Sequence, residues 1–133
     1  MKSLDDFRGR PVLLFLWAHW CADCKSQGPV IEALQKEFPT LAVIAPTQRY
    51  GYVANGEDAS KEKEAVYVAR VQKEEYAWMN GLPMPLSEEN FRAYGVSTTP
   101  TLVLLDGKGL VRMYHPGQMR ADELRQALVS VLK

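Results

Sequence analysis

The sequence predicts an α/β fold: a central mixed β-sheet with helices on both faces. Three features carry the prediction. Two apolar runs, residues 11–17 and 41–45, bracket a stretch of helical periodicity, which is the pattern of a βαβ unit. Two further runs, residues 101–105 and 110–114, are separated by Asp106-Gly107-Lys108-Gly109, a tight-turn signal that makes them an antiparallel pair. An amphipathic segment, Ala121–Leu132, then closes the chain as a helix. With 133 residues the chain has the length of one domain and material for one core, so residues 1–133 are read as a single unit.

Each element has a local cause. Residues 11–17 are apolar without alternation, as expected of a strand buried on both faces of a sheet. Residues 21–38 repeat Val30, Ile31, Leu34 and Phe38 at helical spacing, with Pro29 inside the helix as an expected kink. Residues 41–45 form a second buried strand, ended by Pro46. Residues 47–59 contain Gly51, Asn55 and Gly56 and read as loop. Within them, Gln48-Arg49-Tyr50 either borders a ligand site, as segments after parallel strands often do, or is a plain connection.

Ser60 is the expected N-cap of a charged helix running to about Asn80, stopped by Gly81 and Pro83. Its interleaved Glu and Lys read as a solvated face. Ser87 opens a short helix that ends near Gly95. In the closing helix Leu124, Leu128, Val131 and Leu132 share one stripe.

Composition excludes several classes. A hydrophobic fraction of 47% with 24% charged residues is that of a globular protein, not of a disordered or fibrous one. Basic and acidic residues number 16 each, so no positive excess draws the chain to nucleic acid or to an anionic membrane. The longest apolar run, residues 12–18, is too short to span a bilayer. The first residues, Met1-Lys2-Ser3-Leu4-Asp5-Asp6, lack the apolar core of a signal peptide.

The chemistry lies in the cysteines. The chain has only two, Cys21 and Cys24, and so close a pair closes almost no loop, which argues against a structural staple. Trp20-Cys21-Ala22-Asp23-Cys24-Lys25 stands where the first strand hands over to a helix. There, free backbone N–H groups and the positive end of the helix dipole favour a thiolate at Cys21. Cys24 follows one turn later, where it can bond Cys21 or resolve a mixed disulfide. Zinc would need both histidines as well, and His19 and His115 lack finger spacing, so no metal is expected. No organic cofactor is implied either.

These residues bring a family into view. Phe15-Leu16-Trp17-Ala18-His19-Trp20-Cys21-Ala22-Asp23-Cys24-Lys25 resembles the active-site segment of the thioredoxin superfamily, with Pro29 at that family's helix kink. Gly95-Val96-Ser97-Thr98-Thr99-Pro100-Thr101-Leu102 resembles its second signature, a Thr-Pro whose proline is cis. Within the superfamily the chain is most similar to the TlpA/ResA-like extracytoplasmic branch. The leader from Ser3 to Leu14 matches, and residues 47–90 match the insertion that places an extra helix before the cis-proline. Members of that branch carry an N-terminal hairpin ahead of this leader. This implies either that the natural protein is longer or that Met1 is an introduced start.

The resemblance implies a thiol–disulfide oxidoreductase in which Cys21 attacks and Cys24 resolves. Trp20, Thr99 and Pro100 would shape the docking groove, and the backbone at Thr99 would pair with an extended substrate. From the residues alone, Pro100 is equally an ordinary loop proline. It further implies protein thiols and disulfides as substrates, an upstream thiol electron donor, an extracytoplasmic location, membrane tethering in the full-length protein, cytochrome maturation as the setting, and a monomer. Two departures stand out: the family often has acids where Phe15 and Gln27 stand here, which leaves Cys24 without an obvious proton acceptor.

Three neighbours are candidates for tuning. Asp23 either opposes the Cys21 thiolate, favouring a reductant, or merely occupies a first helical turn, where acids are favoured. Lys25 either supports the thiolate or is solvated. His19 either exchanges protons at the site or is an ordinary surface histidine. Two other functions remain open: a docking module on the same fold with vestigial redox activity, and a thiol peroxidase.

Overall fold

The computed structural model describes residues 7–132. The leader residues Ser3 to Asp6 lie outside them. Strand β1 (Val12–Leu16) enters the centre of the sheet, and helix α1 (Ala22–Glu37) leads to β2 (Ala42–Ile44). Helices α2 (Lys61–Glu75) and α3 (Glu88–Ala93) come next, then β3 (Thr101–Leu105), β4 (Val111–Pro116) and α4 (Ala121–Leu132). The sheet order is β2-β1-β3-β4, with β1 parallel to β2 and antiparallel to β3, and β3 antiparallel to β4. The predicted mixed sheet is therefore present.

Strand alternation divides the core into two. Leu13, Phe15 and Trp17 point to one side, with Ile31 and Leu34 of α1, Val68 and Val71 of α2, and Leu124 and Leu128 of α4. Val12, Leu14 and Leu16 point to the other, where Phe91 of α3, Tyr94 and Val96 pack. A strand that is apolar at every position is the sequence trace of a sheet covered on both faces.

The hairpin between β3 and β4 is built on Asp106. Its carboxylate accepts the N–H of Lys108 at 2.9 Å and of Leu110 at 3.0 Å, while Gly109 takes φ +84°. Pro83 and Pro85 lie beside the chain that extends β2. Their carbonyls accept the N–H groups of Ala45 and Thr47, both at 2.9 Å. Prolines suit this place, because they accept there without offering an N–H of their own.

One predicted boundary is corrected. The helix expected to reach about Asn80 ends at Glu75, leaves helical geometry at Tyr76 (φ −130°, ψ 44°), and resumes as a single 3₁₀ turn, Ala77–Met79. Aromatic packing explains the break. Side chains two apart on a continuous helix face different ways, yet Tyr76 and Trp78 both pack on Phe15, with ring centres 6.5 and 6.1 Å away. Breaking the helix lets both rings reach the core.

Candidate active site

The site lies at the end of the sheet where β1 and β2 finish and β3 begins. Backbone and side-chain bonds fix that end. Trp17 N–H donates to the Pro46 carbonyl at 3.1 Å, Trp17 Nε1–H to Ala45 at 3.0 Å, and Thr47 Oγ1–H to the Trp17 carbonyl at 2.6 Å. Trp17, on the same side of the sheet as Leu13 and Phe15, is fully buried.

Cys21 is the N-cap of α1, in extended conformation, and its Sγ accepts the N–H of Cys24 at 3.1 Å. A sulfur thus takes the place of the usual capping oxygen and faces the positive end of the helix. Cys21 and Cys24 are joined as a disulfide with Cα atoms 5.3 Å apart. Cys21 keeps 3% of its surface and Cys24 none. Both sulfur-bearing residues are therefore buried in this oxidised form, Cys21 being the one that keeps a trace of exposure.

Trp20 stands beside the pair, 50% exposed. It lines a groove of about 90 Å³ together with Gln48, Tyr50, Val96, Thr98 and Thr99. The Thr99–Pro100 peptide bond is cis, and Pro100 is buried. Thr99 Oγ1 is buried with no hydrogen-bond partner among the described residues. The structure thus brings Trp20 and Thr99 to one groove. Of the two readings of Gln48-Arg49-Tyr50, the groove places two of its residues on the border side. Gln48 and Tyr50 form a wall, and the Tyr50 ring packs edge-on against Trp20 at 5.4 Å. Burial, with smaller contributions from Tyr52 and the Glu64 carboxylate, holds the Tyr50 phenol above its ordinary pKa against a lowering bond from Gln48. Arg49 points elsewhere, onto Glu88 at 3.1 and 3.3 Å, and this bond is the first cause of the lowered Glu88 pKa.

Three tuning candidates take definite places. Asp23 sits exposed in the first turn of α1, where its carbonyl accepts from Gln118 at 3.0 Å. Lys25 reaches away to Glu75 at 2.7 Å, with both side chains over two-fifths exposed, so it is a solvated ion pair. His19 is not a surface residue. It is 4% exposed, its ring is met edge-on by Tyr50, Tyr52 and Tyr67, and its Nε2 lies 3.3 Å from Glu64 Oε2. Its hydrogen-bond partner is Glu64 rather than either cysteine.

Glu64 was not legible as a site residue; it belongs to the helix read as solvated, yet it is 1% exposed. The available signal was its spacing, since Glu64, Val68 and Val71 fall on one buried helical stripe. Phe15 and Gln27 stand where the resemblance leads one to expect acids. Phe15 belongs to the same buried cluster as both cysteines. Gln27, one turn after Cys24, donates to the Met119 carbonyl at 3.1 Å and accepts its N–H at 2.7 Å. Among the described residues no group of His, Cys, Asp or Glu could hold a metal ion. Among the described residues no helix is long and apolar enough to cross a membrane.

Comparison with known proteins agrees with this geometry. A family profile described as "Thioredoxin-like domain" matches residues 7–132. The thioredoxin-like protein YneN of Bacillus subtilis is 34% identical over 129 residues, covering 96% of this chain and 68% of that protein. The thiol:disulfide interchange protein DsbE of Xylella fastidiosa is 29% identical over 135 residues, covering 98% of this chain and 59% of that protein. Among solved structures, the exposed lipoprotein thioredoxin Etrx1 of Streptococcus pneumoniae superposes with a TM-score of 0.74 at 28% identity, over 96% of this chain and 89% of that one. The chain spans about three-fifths to two-thirds of the curated relatives it matches. It belongs to the thioredoxin-like family, and its relatives include proteins named thiol:disulfide interchange protein DsbE and thiol-disulfide oxidoreductase ResA.

Proposed function

We propose that the chain reduces disulfides in protein substrates, with Cys21 as nucleophile and Cys24 as resolving thiol. In the dithiol form the Cys21 thiolate attacks one sulfur of a substrate disulfide, forming a mixed disulfide and releasing the other substrate sulfur as thiolate. Cys24 then attacks Cys21 Sγ, the second substrate thiolate leaves, and the Cys21–Cys24 disulfide remains. An upstream dithiol returns the enzyme to its reduced form by the reverse exchange. The observation that carries this is Cys21 capping α1 directly after Trp20, the exposed residue that walls the groove.

Trp20, Thr99 and Pro100 are assigned to docking, with the Thr99 backbone pairing an extended substrate segment. Asp23, by its charge near the thiolate, tilts the couple towards a reductant. The setting we infer is extracytoplasmic, with tethering in the full-length protein and apocytochrome or similar cysteines as substrates. Support for it is the likeness to the TlpA/ResA-like branch and to an exposed lipoprotein. The chain is read as one domain, residues 47–90 being an insertion, that works as a monomer.

Insulin reduction driven by dithiothreitol tests the assignment. Wild type should turn insulin over, and Cys21→Ser should fall to the dithiothreitol background. Unchanged turnover in Cys21→Ser would leave a docking module as the better description.

A further inference from the structure

Helix α2 buries one carboxylate, and that carboxylate is tied to the groove. Burying an ionised carboxylate is costly unless hydrogen bonds replace its water. Glu64 has three such partners: the N–H of Tyr50 at 2.6 Å, the N–H of Gly51 at 2.9 Å, and His19 Nε2 at 3.3 Å. Two are successive backbone amides of the segment that forms the groove wall. Gly51 takes φ +86°, a region open to glycine, where two neighbouring N–H groups can converge on one anion. The segment is closed from the far side by Ala59 N–H donating to the Gly51 carbonyl at 3.0 Å, just before Ser60 caps α2.

The third partner leads to the same place. His19 directly precedes Trp20, and its ring is packed by Tyr50, whose ring also packs on Trp20. Glu64 therefore holds the groove wall from both sides: Tyr50 through its backbone, and Trp20 through His19. It touches neither sulfur.

We propose that Glu64 is a positioning residue for protein substrates, fixing the groove wall formed by Tyr50 and by Trp20, the residue that directly precedes Cys21. This deepens the oxidoreductase assignment and rests on it. A small disulfide needs only the sulfurs, whereas a protein disulfide needs the wall. Loss of Glu64 should then separate the two substrates.

The test compares wild type, Glu64→Gln and Glu64→Asp, with insulin or 2-hydroxyethyl disulfide as substrate and dithiothreitol as electron source. In Glu64→Gln the carboxamide accepts one backbone N–H and sets its own NH₂ against another donor. The expected result is a KM for insulin raised about tenfold with kcat within about twofold, and an unchanged rate on 2-hydroxyethyl disulfide. Glu64→Asp keeps the charge but withdraws it by one methylene, so its KM should lie between the two. It also serves if Glu64→Gln does not fold.

Amide hydrogen exchange gives an activity-independent readout: the Tyr50 and Gly51 N–H groups should exchange about tenfold faster in Glu64→Gln. Tyr50→Ala should raise the insulin KM similarly, and adding Glu64→Gln to it should add little. Unchanged exchange at Tyr50 and Gly51, or equal slowing on both substrates, would overturn the proposal. A wild-type chain inactive on both substrates would count against the oxidoreductase assignment itself, and the exchange data would still decide whether Glu64 holds the wall.

Discussion

Met119 explains why an amide, and not an acid, stands one turn after Cys24. Gln27 gives an N–H to the Met119 carbonyl and takes the Met119 N–H in return, both bonds fully buried. A glutamate could satisfy only the N–H and would set its charge against the carbonyl. Gln27→Ala leaves both Met119 groups unpaired and opens a small void. Each unsatisfied backbone group costs about 1–3 kcal/mol, so stability in urea unfolding should fall by about 2–6 kcal/mol at unchanged m-value. A loss below about 0.5 kcal/mol would mean that these bonds contribute nothing net. The sequence carried half of this. Cys21 and Cys24 were legible because their chemistry is local, a spacing at a strand-to-helix junction. Gln27 showed only as a missing acid, since its partner lies 92 residues away.

Helix α2 and the turn after it show how packing overrides periodicity. The Ser60 cap placed a helix there correctly, but neither its end at Glu75 nor its buried face followed from the charge pattern, which read as solvated. Both follow from contacts with the core: Tyr76 and Trp78 reach for Phe15, and Glu64 reaches under Tyr50. Trp78 also explains Gly28 in the middle of α1. A Cβ at Gly28 would lie 2.8 Å from Trp78 Nε1, inside contact distance of a ring already packed on Phe15. Alanine at a helix interior normally stabilises by about 0.5–1 kcal/mol over glycine, but overpacking costs about 1–3 kcal/mol. The clash should win. Gly28→Ala should lower the thermal midpoint, and adding Trp78→Leu, which removes the obstructing ring, should make the same Gly28→Ala step neutral or stabilising. A higher midpoint for Gly28→Ala alone would show that Trp78 yields freely.

Across the whole molecule, the order of elements was enough to predict a mixed sheet, because a βαβ unit followed by a hairpin leaves few other arrangements. What lines the active end was harder to read. Its walls come from segments far apart in sequence, Trp20 after β1, Gln48 and Tyr50 after β2, and Thr98 and Thr99 before β3, and only the fold brings them together. Cys21 caps a helix there and keeps a narrow opening, while Cys24 is sealed beneath. Such a pair should behave as one reversible two-electron couple on the reducing side. Equilibrating the protein in dithiothreitol or glutathione buffers and counting free thiols by alkylation measures this directly. A reductant gives a midpoint near the thioredoxin range, roughly −270 mV, and no transition in Cys21→Ser. A midpoint at roughly −120 mV would make the chain an oxidant, and sulfurs that never exchange with the buffer would contradict the redox assignment altogether.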